Sequence, residues 1–175
     1  MAISGDNYVF ATHRFLRENI DKSLKGVYTH TMIKQNTKLD LKQCMDIGQT
    51  CTVFNLRKAS RVVTQLYEEI MKPSGILPTQ FTLLVAARAW GPITISSMSA
   101  ALVMDRTTLT RNLKPLEREG LLSVSPGKDD QRAREVSLTS KGLRQLKQAS
   151  PLWNESQRKI KQSLGASRLD QLLVI

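Results

Sequence analysis

The stretch from Asp105 to Thr139, DRTTLTRNLKPLEREGLLSVSPGKDDQRAREVSLT, constrains the fold of this chain more than any other. Asp105 has the chemistry of an N-cap, a short carboxylate that accepts from the free N–H groups of a first helical turn. Leu109, Leu113 and Leu116 follow at i, i+4 and i+7, one apolar stripe of a helix. Thr107, Arg111, Lys114 and Arg118 share the opposite face. A helix with a leucine back and a Thr/Arg/Lys front suits the major groove of DNA, where arginine bonds a guanine edge bidentately. Gly120 is the turn residue that lets the chain leave the helix. Leu122 and Val124 then alternate with Leu121, Ser123 and Ser125, and Val136 and Leu138 alternate with Glu135 and Ser137. Two short strands are expected there, on either side of a turn-rich tip over 126–131. Lys128, Arg132 and Arg134 make the tip basic, and Thr139 is placed to cap the next helix. A helix followed by a basic two-stranded wing is a winged helix-turn-helix.

The flanking sequence supplies helices on both sides. Val53, Leu56, Val63, Leu66 and Ile70 keep a helical period from Thr52 to Lys72, and Pro73-Ser74-Gly75 ends it. Pro78 suits the first position of a new helix, which Gly91-Pro92 stops after Trp90. Ile93 is expected as a single short strand beside the wing, and Thr94 as the cap of a helix over Ile95–Leu102 with Met98 on its inner face. Pro115 interrupts the recognition helix, where it deletes one backbone bond near the C-terminal end. A long helix is expected over Ser140–Leu164, bent near Pro151 and stopped by Gly165. The following helix runs to Leu172-Leu173-Val174-Ile175, four apolar residues most simply buried against a second subunit. Upstream, Leu16, Ile20, Leu24 and Val27 predict an amphipathic helix over about 11–28.

The segment DDQRAREVSLT resembles the wing signature of the multiple-antibiotic-resistance regulator (MarR) family, D-x-R-x-x-x-L-x-L-T. Asp130, Arg132, Leu138 and Thr139 fall on its fixed positions, with Val136 where leucine is usual. DRTTLTRNL, from Asp105 to Leu113, is similar to that family's recognition helix. The resemblance covers about Val53 to Ile175. It implies a mainly α fold with a small β wing: a winged helix-turn-helix DNA-binding lobe (about 76–139) and a helical dimerisation region (about 51–72 and 140–175). Residues 1–50 are then an N-terminal helical extension to a domain spanning 51–175. The resemblance further implies a homodimeric repressor of transcription that binds a near-palindromic operator in double-stranded DNA, with Arg132 entering the minor groove. It also implies a small-molecule effector cleft, for which Phe54, Arg57, Arg61, Tyr67, Phe81 and Trp90 are suitable lining types. One position departs from the family. Glycine is usual where this chain has Val103, so that turn must be strained or different.

Charge points the same way. The chain has 26 basic and 15 acidic residues, a formal net charge of +11, which favours a polyanionic partner. Composition alone leaves a solvated basic surface as an equal reading, but the basic residues cluster in the helix-and-wing unit. Arg111, Thr107, Thr108 and Lys114 are candidate base readers. Arg106, Thr110, Lys128 and Arg134 are candidate phosphate contacts, which position without specifying sequence. Asp130 is expected to pair with a neighbouring arginine and stabilise the wing. No apolar run approaches the roughly 18 residues of a membrane span, and no signal-peptide pattern opens the chain, so a cytoplasmic protein without membrane attachment is expected.

No catalytic constellation, metal site or cofactor motif is evident: His13 and His30 have no motif partners, and no glycine-rich phosphate loop occurs. Cys44 and Cys51 are too few for a disulfide framework. On one continuous helix, their separation would be about 10 Å, beyond the roughly 7 Å a disulfide tolerates. Two readings stand for them, idle thiols or a redox pair that releases the repressor. For the whole chain the alternative to a regulator is a winged-helix module for protein contact or for sequence-neutral DNA packaging.

Overall fold

The computed structural model describes residues 40–127 and 130–173. The helix expected over about 11–28, the tip residues Lys128 and Asp129, and Val174 and Ile175 lie outside the described residues. The chain forms two compact units, one reaching Gln65 and the other spanning Leu66–Val174.

In the first unit, helix α1 (Leu41–Thr50) begins at a capping box, with the Gln43 amide on the Asp40 carboxylate at 2.7 Å and the Asp40 amide on Gln43 Oε1 at 3.2 Å. Helix α2 (Thr52–Met71) follows after Cys51 and continues into the second unit. The Asn55 side-chain amide binds carbonyls at the junction of α1 and α2, Gln49 at 3.0 Å and Cys51 at 2.9 Å. Gly48 does not break α1, which carries Cys44 and runs unbroken to Thr50 just before Cys51, and both are free thiols.

The second unit is built around the expected leucine stripe. A 3-10 turn (Lys72–Ser74) leads to α3 (Pro78–Trp90), β1 (Ile93–Thr94), α4 (Ile95–Ala101) and α5 (Arg106–Arg118). Strands β2 (Leu122–Pro126) and β3 (Arg134–Leu138), then α6 (Ser140–Leu164) and α7 (Ala166–Leu173), complete the described chain. The sheet order is β1-β3-β2, all antiparallel, with Leu122 opposite Leu138 and Val124 opposite Val136. That register places the apolar alternates of both wing strands on one face. Leu109, Leu113 and Leu116 are almost wholly buried with Leu84, Met98, Leu122 and Val136; each such side chain contributes about 1.5–3 kcal/mol of burial. Leu121, which alternation assigns to the outward face, is buried as well. It precedes the strand proper, and its carbonyl accepts from the Thr139 amide at 3.2 Å.

The turn between α4 and α5 resolves the question of Val103 in favour of strain. Val103 has φ 53°, the left-handed region, and donates to the Ala100 carbonyl at 3.2 Å while Met104 donates to Ser99 at 2.9 Å. These reverse-turn bonds close the helix and demand the positive φ, which a β-branched residue adopts at a cost of about 1–2 kcal/mol. Its side chain is largely exposed, so little packing offsets that cost. Val103→Gly is therefore expected to raise unfolding stability by about 1 kcal/mol after glycine's own entropy is charged. Thermal denaturation showing an unchanged or lower midpoint would mean that the valine conformation is unstrained in solution.

Candidate nucleic-acid interface

Helix α5 starts as its sequence requires. The Thr108 amide donates to Asp105 Oδ1 at 2.8 Å, and bonding from the Thr108 side chain and then its amide holds the Asp105 carboxyl below its ordinary pKa. With the leucine stripe inward, Arg106, Thr107, Thr110, Arg111 and Lys114 converge on one exposed face and line a shallow depression of about 440 Å³. The Thr110 hydroxyl donates to the Arg106 carbonyl at 2.7 Å, which leaves its lone pairs outward. Thr108, expected on this face, is half-buried and does not line the depression; its position on the helical wheel turns it toward the flank. Among the described residues the only salt bridge joins Arg158 to Glu155, at 2.6 Å. The basic groups of the depression therefore have no carboxylate partner there and remain available to an anion.

Among the described residues, the wing is held by hydrogen bonds and no ion pair. Asp130 accepts the backbone amide of Arg132 at 2.9 Å, and its carbonyl accepts from Ala133 at 3.0 Å. Asp130 thus shapes the tip through Arg132's backbone, not through the guanidinium expected from the sequence. Arg132 itself is exposed. Arg134 donates from Nη2 to the Val124 carbonyl across the hairpin at 3.2 Å, so its guanidinium is partly engaged by the wing it was expected to extend from.

The C-terminal end of α5 meets the first turn of α6. The Thr139 hydroxyl donates to the Gly120 carbonyl at 2.7 Å and accepts the Gly142 amide at 3.0 Å, so one side chain caps α6 and holds the recognition helix end. Lys141 Nζ donates to the Glu119 carbonyl at 2.7 Å. Sequence alone identified Thr139 as a cap but not its second bond, and did not single out Lys141.

Between α3 and α6 lies a cleft of about 390 Å³, lined by Phe81, Thr82, Val85, Leu146, Ser150, Trp153 and Asn154. Phe81 and Trp153 stack with ring centroids 6.1 Å apart. Of the six residues expected to line an effector cleft, Phe81 alone does so. Tyr67 and Trp90 pack against the core, and burial raises the Tyr67 pKa. Phe54, Arg57 and Arg61 are exposed on α2. The overlooked signal was Trp153, an aromatic residue in a mostly polar helix, sharing a face with Leu146 and Ser150.

A sequence model of the MarR family matches residues 76–133, which include α3 to the wing tip. The transcriptional regulator MosR of M. tuberculosis, solved in complex with DNA, is 35% identical over 70% of this chain and 90% of its own, with a TM-score of 0.64. The chain belongs to the MarR family. The organic hydroperoxide resistance transcriptional regulator of Bacillus subtilis (strain 168) is 30% identical over 95 residues, 54% of this chain and 63% of that protein. The chain thus spans just under two thirds of that curated relative. A cysteine mutant of E. coli MarR, complexed with operator DNA, shares the fold at 24% identity and a TM-score of 0.65, covering 76% of this chain and 93% of its own. Membership of the MarR family accounts for the wing signature at Asp130, Arg132, Leu138 and Thr139. No described helix is long and apolar enough to cross a membrane.

Proposed function

We propose that the protein is a sequence-specific DNA-binding regulator of transcription, not an enzyme, which acts as a homodimeric repressor in the cytoplasm. The observation that carries this reading is the convergence of Arg106, Thr107, Thr110, Arg111 and Lys114 on one exposed, carboxylate-free face beside a basic wing. In this reading Arg111, Thr107 and Lys114 read base edges, with Thr108 at their flank. Arg106, Thr110, Lys128 and Arg134 hold phosphates, and Arg132 reaches the minor groove. Exposed Val53, Phe54, Leu56 and Val62 on α2, and Leu172 and Leu173 on α7, support burial against a second copy. On this reading residues 51–175 form the dimerising winged-helix domain and residues 1–50 its helical extension. A two-fold dimer reads a near-palindrome with half-sites about 10 bp apart.

Two release routes are compatible with this chain. The α3/α6 cleft has a volume suited to a small molecule, an aromatic shelf and no charged lining residue, which favours a flat, neutral effector. Cys51 sits where α1 ends and α2 begins, half-buried, with Cys44 exposed on α1, a position from which oxidation can disturb the helix junction.

The test selects bound duplexes from random DNA with the full chain, then compares the best site with random duplex and measures mass by sedimentation. A dimer with a near-palindromic preference is expected. Equal affinity for all duplexes would favour a DNA-packaging module, and a stable monomer at micromolar concentration would remove the palindrome. Repeating the assay after mild peroxide, with wild type and Cys51→Ser, separates the release routes: loss of binding by wild type alone assigns the thiol, and unchanged binding by both assigns the cleft.

A further inference from the structure

The recognition helix α5 closes its own last turn, with the Glu119, Gly120 and Leu121 amides on the Pro115, Glu117 and Leu116 carbonyls, but the residues just past it are held from elsewhere in the chain. Pro115 has no amide to offer the Arg111 carbonyl, so the ladder of α5 is interrupted between its base-facing half and its last turn. Beyond that gap, the carbonyls of Glu119, Gly120 and Leu121 point at the first turn of α6 and are bound from there. Lys141 Nζ takes Glu119 at 2.7 Å, the Thr139 hydroxyl takes Gly120 at 2.7 Å, and the Thr139 amide takes Leu121 at 3.2 Å. Lys141 also brings a cation to the negative end of the helix dipole. Thr139 follows directly on β3, and its hydroxyl accepts the Gly142 amide. The same two residues therefore tie together the recognition helix, the return strand of the wing and the start of α6.

We propose that Thr139 and Lys141 are positioning residues for DNA reading: they set the angle between α5 and the wing, and so determine which base edges Arg111 and its neighbours reach. The inference rests on the reading of α5 as a DNA-recognition helix. Neither side chain lines the basic depression, so neither is required to touch a base. Thr139→Val keeps the shape of the side chain and removes the hydroxyl, leaving the Gly120 carbonyl and Gly142 amide without it. Thr139→Ser restores the hydroxyl. Lys141→Met keeps the stem and removes the charge.

The experiment measures affinity of the full chain for its selected duplex and for random duplex, at a temperature where circular dichroism shows every variant folded, over a range of salt. Thr139→Val and Lys141→Met are expected to lower the ratio of selected to random affinity about tenfold, the order of one base pair's discrimination, and Thr139→Ser to retain it. A purely stabilising role would reduce the competent fraction and weaken both duplexes equally, leaving the ratio unchanged; that result overturns the proposal. A salt slope flattened by about one unit in Lys141→Met would make Lys141 a phosphate contact and overturn its positioning role. A wild-type chain that discriminates no duplex would overturn the DNA-recognition reading first, and this inference with it.

Discussion

Gly142→Ala is expected to be the most damaging small substitution in the winged-helix unit. A Cβ built at Gly142 would lie 2.0 Å from the Leu121 carbonyl oxygen and 2.7 Å from Leu138 Cδ1. The first of these neighbours is backbone, so no rotamer change relieves it. The first turn of α6 must instead back away from the base of the wing, and the Gly142–Thr139 bond and the Thr139–Leu121 bond stretch with it. Overpacking of this kind costs about 1–3 kcal/mol, and two weakened hydrogen bonds add about 1 kcal/mol each. The sum, about 3–5 kcal/mol, is a large share of the roughly 5–15 kcal/mol that holds a domain together. Gly48→Ala is the control: nothing lies within 4 Å of a Cβ there, and alanine in the α1 interior should gain up to about 1 kcal/mol. Urea unfolding of both variants decides the matter. A Gly142→Ala protein within about 0.5 kcal/mol of wild type, inside the range of an ordinary surface change, would show that α6 and the wing base do not approach this closely.

The largest effect on binding is expected from Arg111→Ala. Arg111 lies in the half of α5 before Pro115, on the exposed face opposite Leu109 and Leu113, and shares the basic depression with Arg106 and Lys114. An arginine so placed can bond a guanine edge bidentately, and losing that contact costs about 1–3 kcal/mol on the best site. Random duplex, held through phosphates, should lose less, and the preference at one or two base pairs should relax. Affinities for the selected site, its single-base variants and random DNA test this directly. Equal loss on every duplex would reassign Arg111 to the phosphate backbone.

Much of the recognition unit could be read from the chain because its signals are local. The Asp105, Thr94 and Thr139 caps each bond an amide three residues on, and such short-range chemistry depends on little besides the neighbouring residues. The leucine stripe of α5 and the alternation in β2 and β3 likewise follow from the helical and strand periods. Leu121 shows the limit of that logic. Period two assigns it outward, but it stands just before the strand and is buried, with its carbonyl bound by the Thr139 amide 18 residues on. Arg134 and Asp130 show another limit. Sequence identifies a guanidinium and a carboxylate in a basic hairpin, whereas their partners, the Val124 carbonyl and the Arg132 amide, depend on how the hairpin closes.

The same division applies to the cleft and to the junction behind the recognition helix. Phe81 and Trp153 are 72 positions apart in the sequence and no motif links them; their stacking exists because α3 and α6 pack together. By itself the sequence determined the caps, the buried stripe, the basic outer face, the positions of the turns and the wing signature, because each arises from backbone periodicity or from contacts a few residues long. Only the tertiary structure decided that Thr139 and Lys141 reach the end of the recognition helix, and that residue 142 has no room for a Cβ. Those outcomes depend on where elements distant in sequence come to rest against one another, and close packing of backbone on backbone leaves no mark in the period of the side chains.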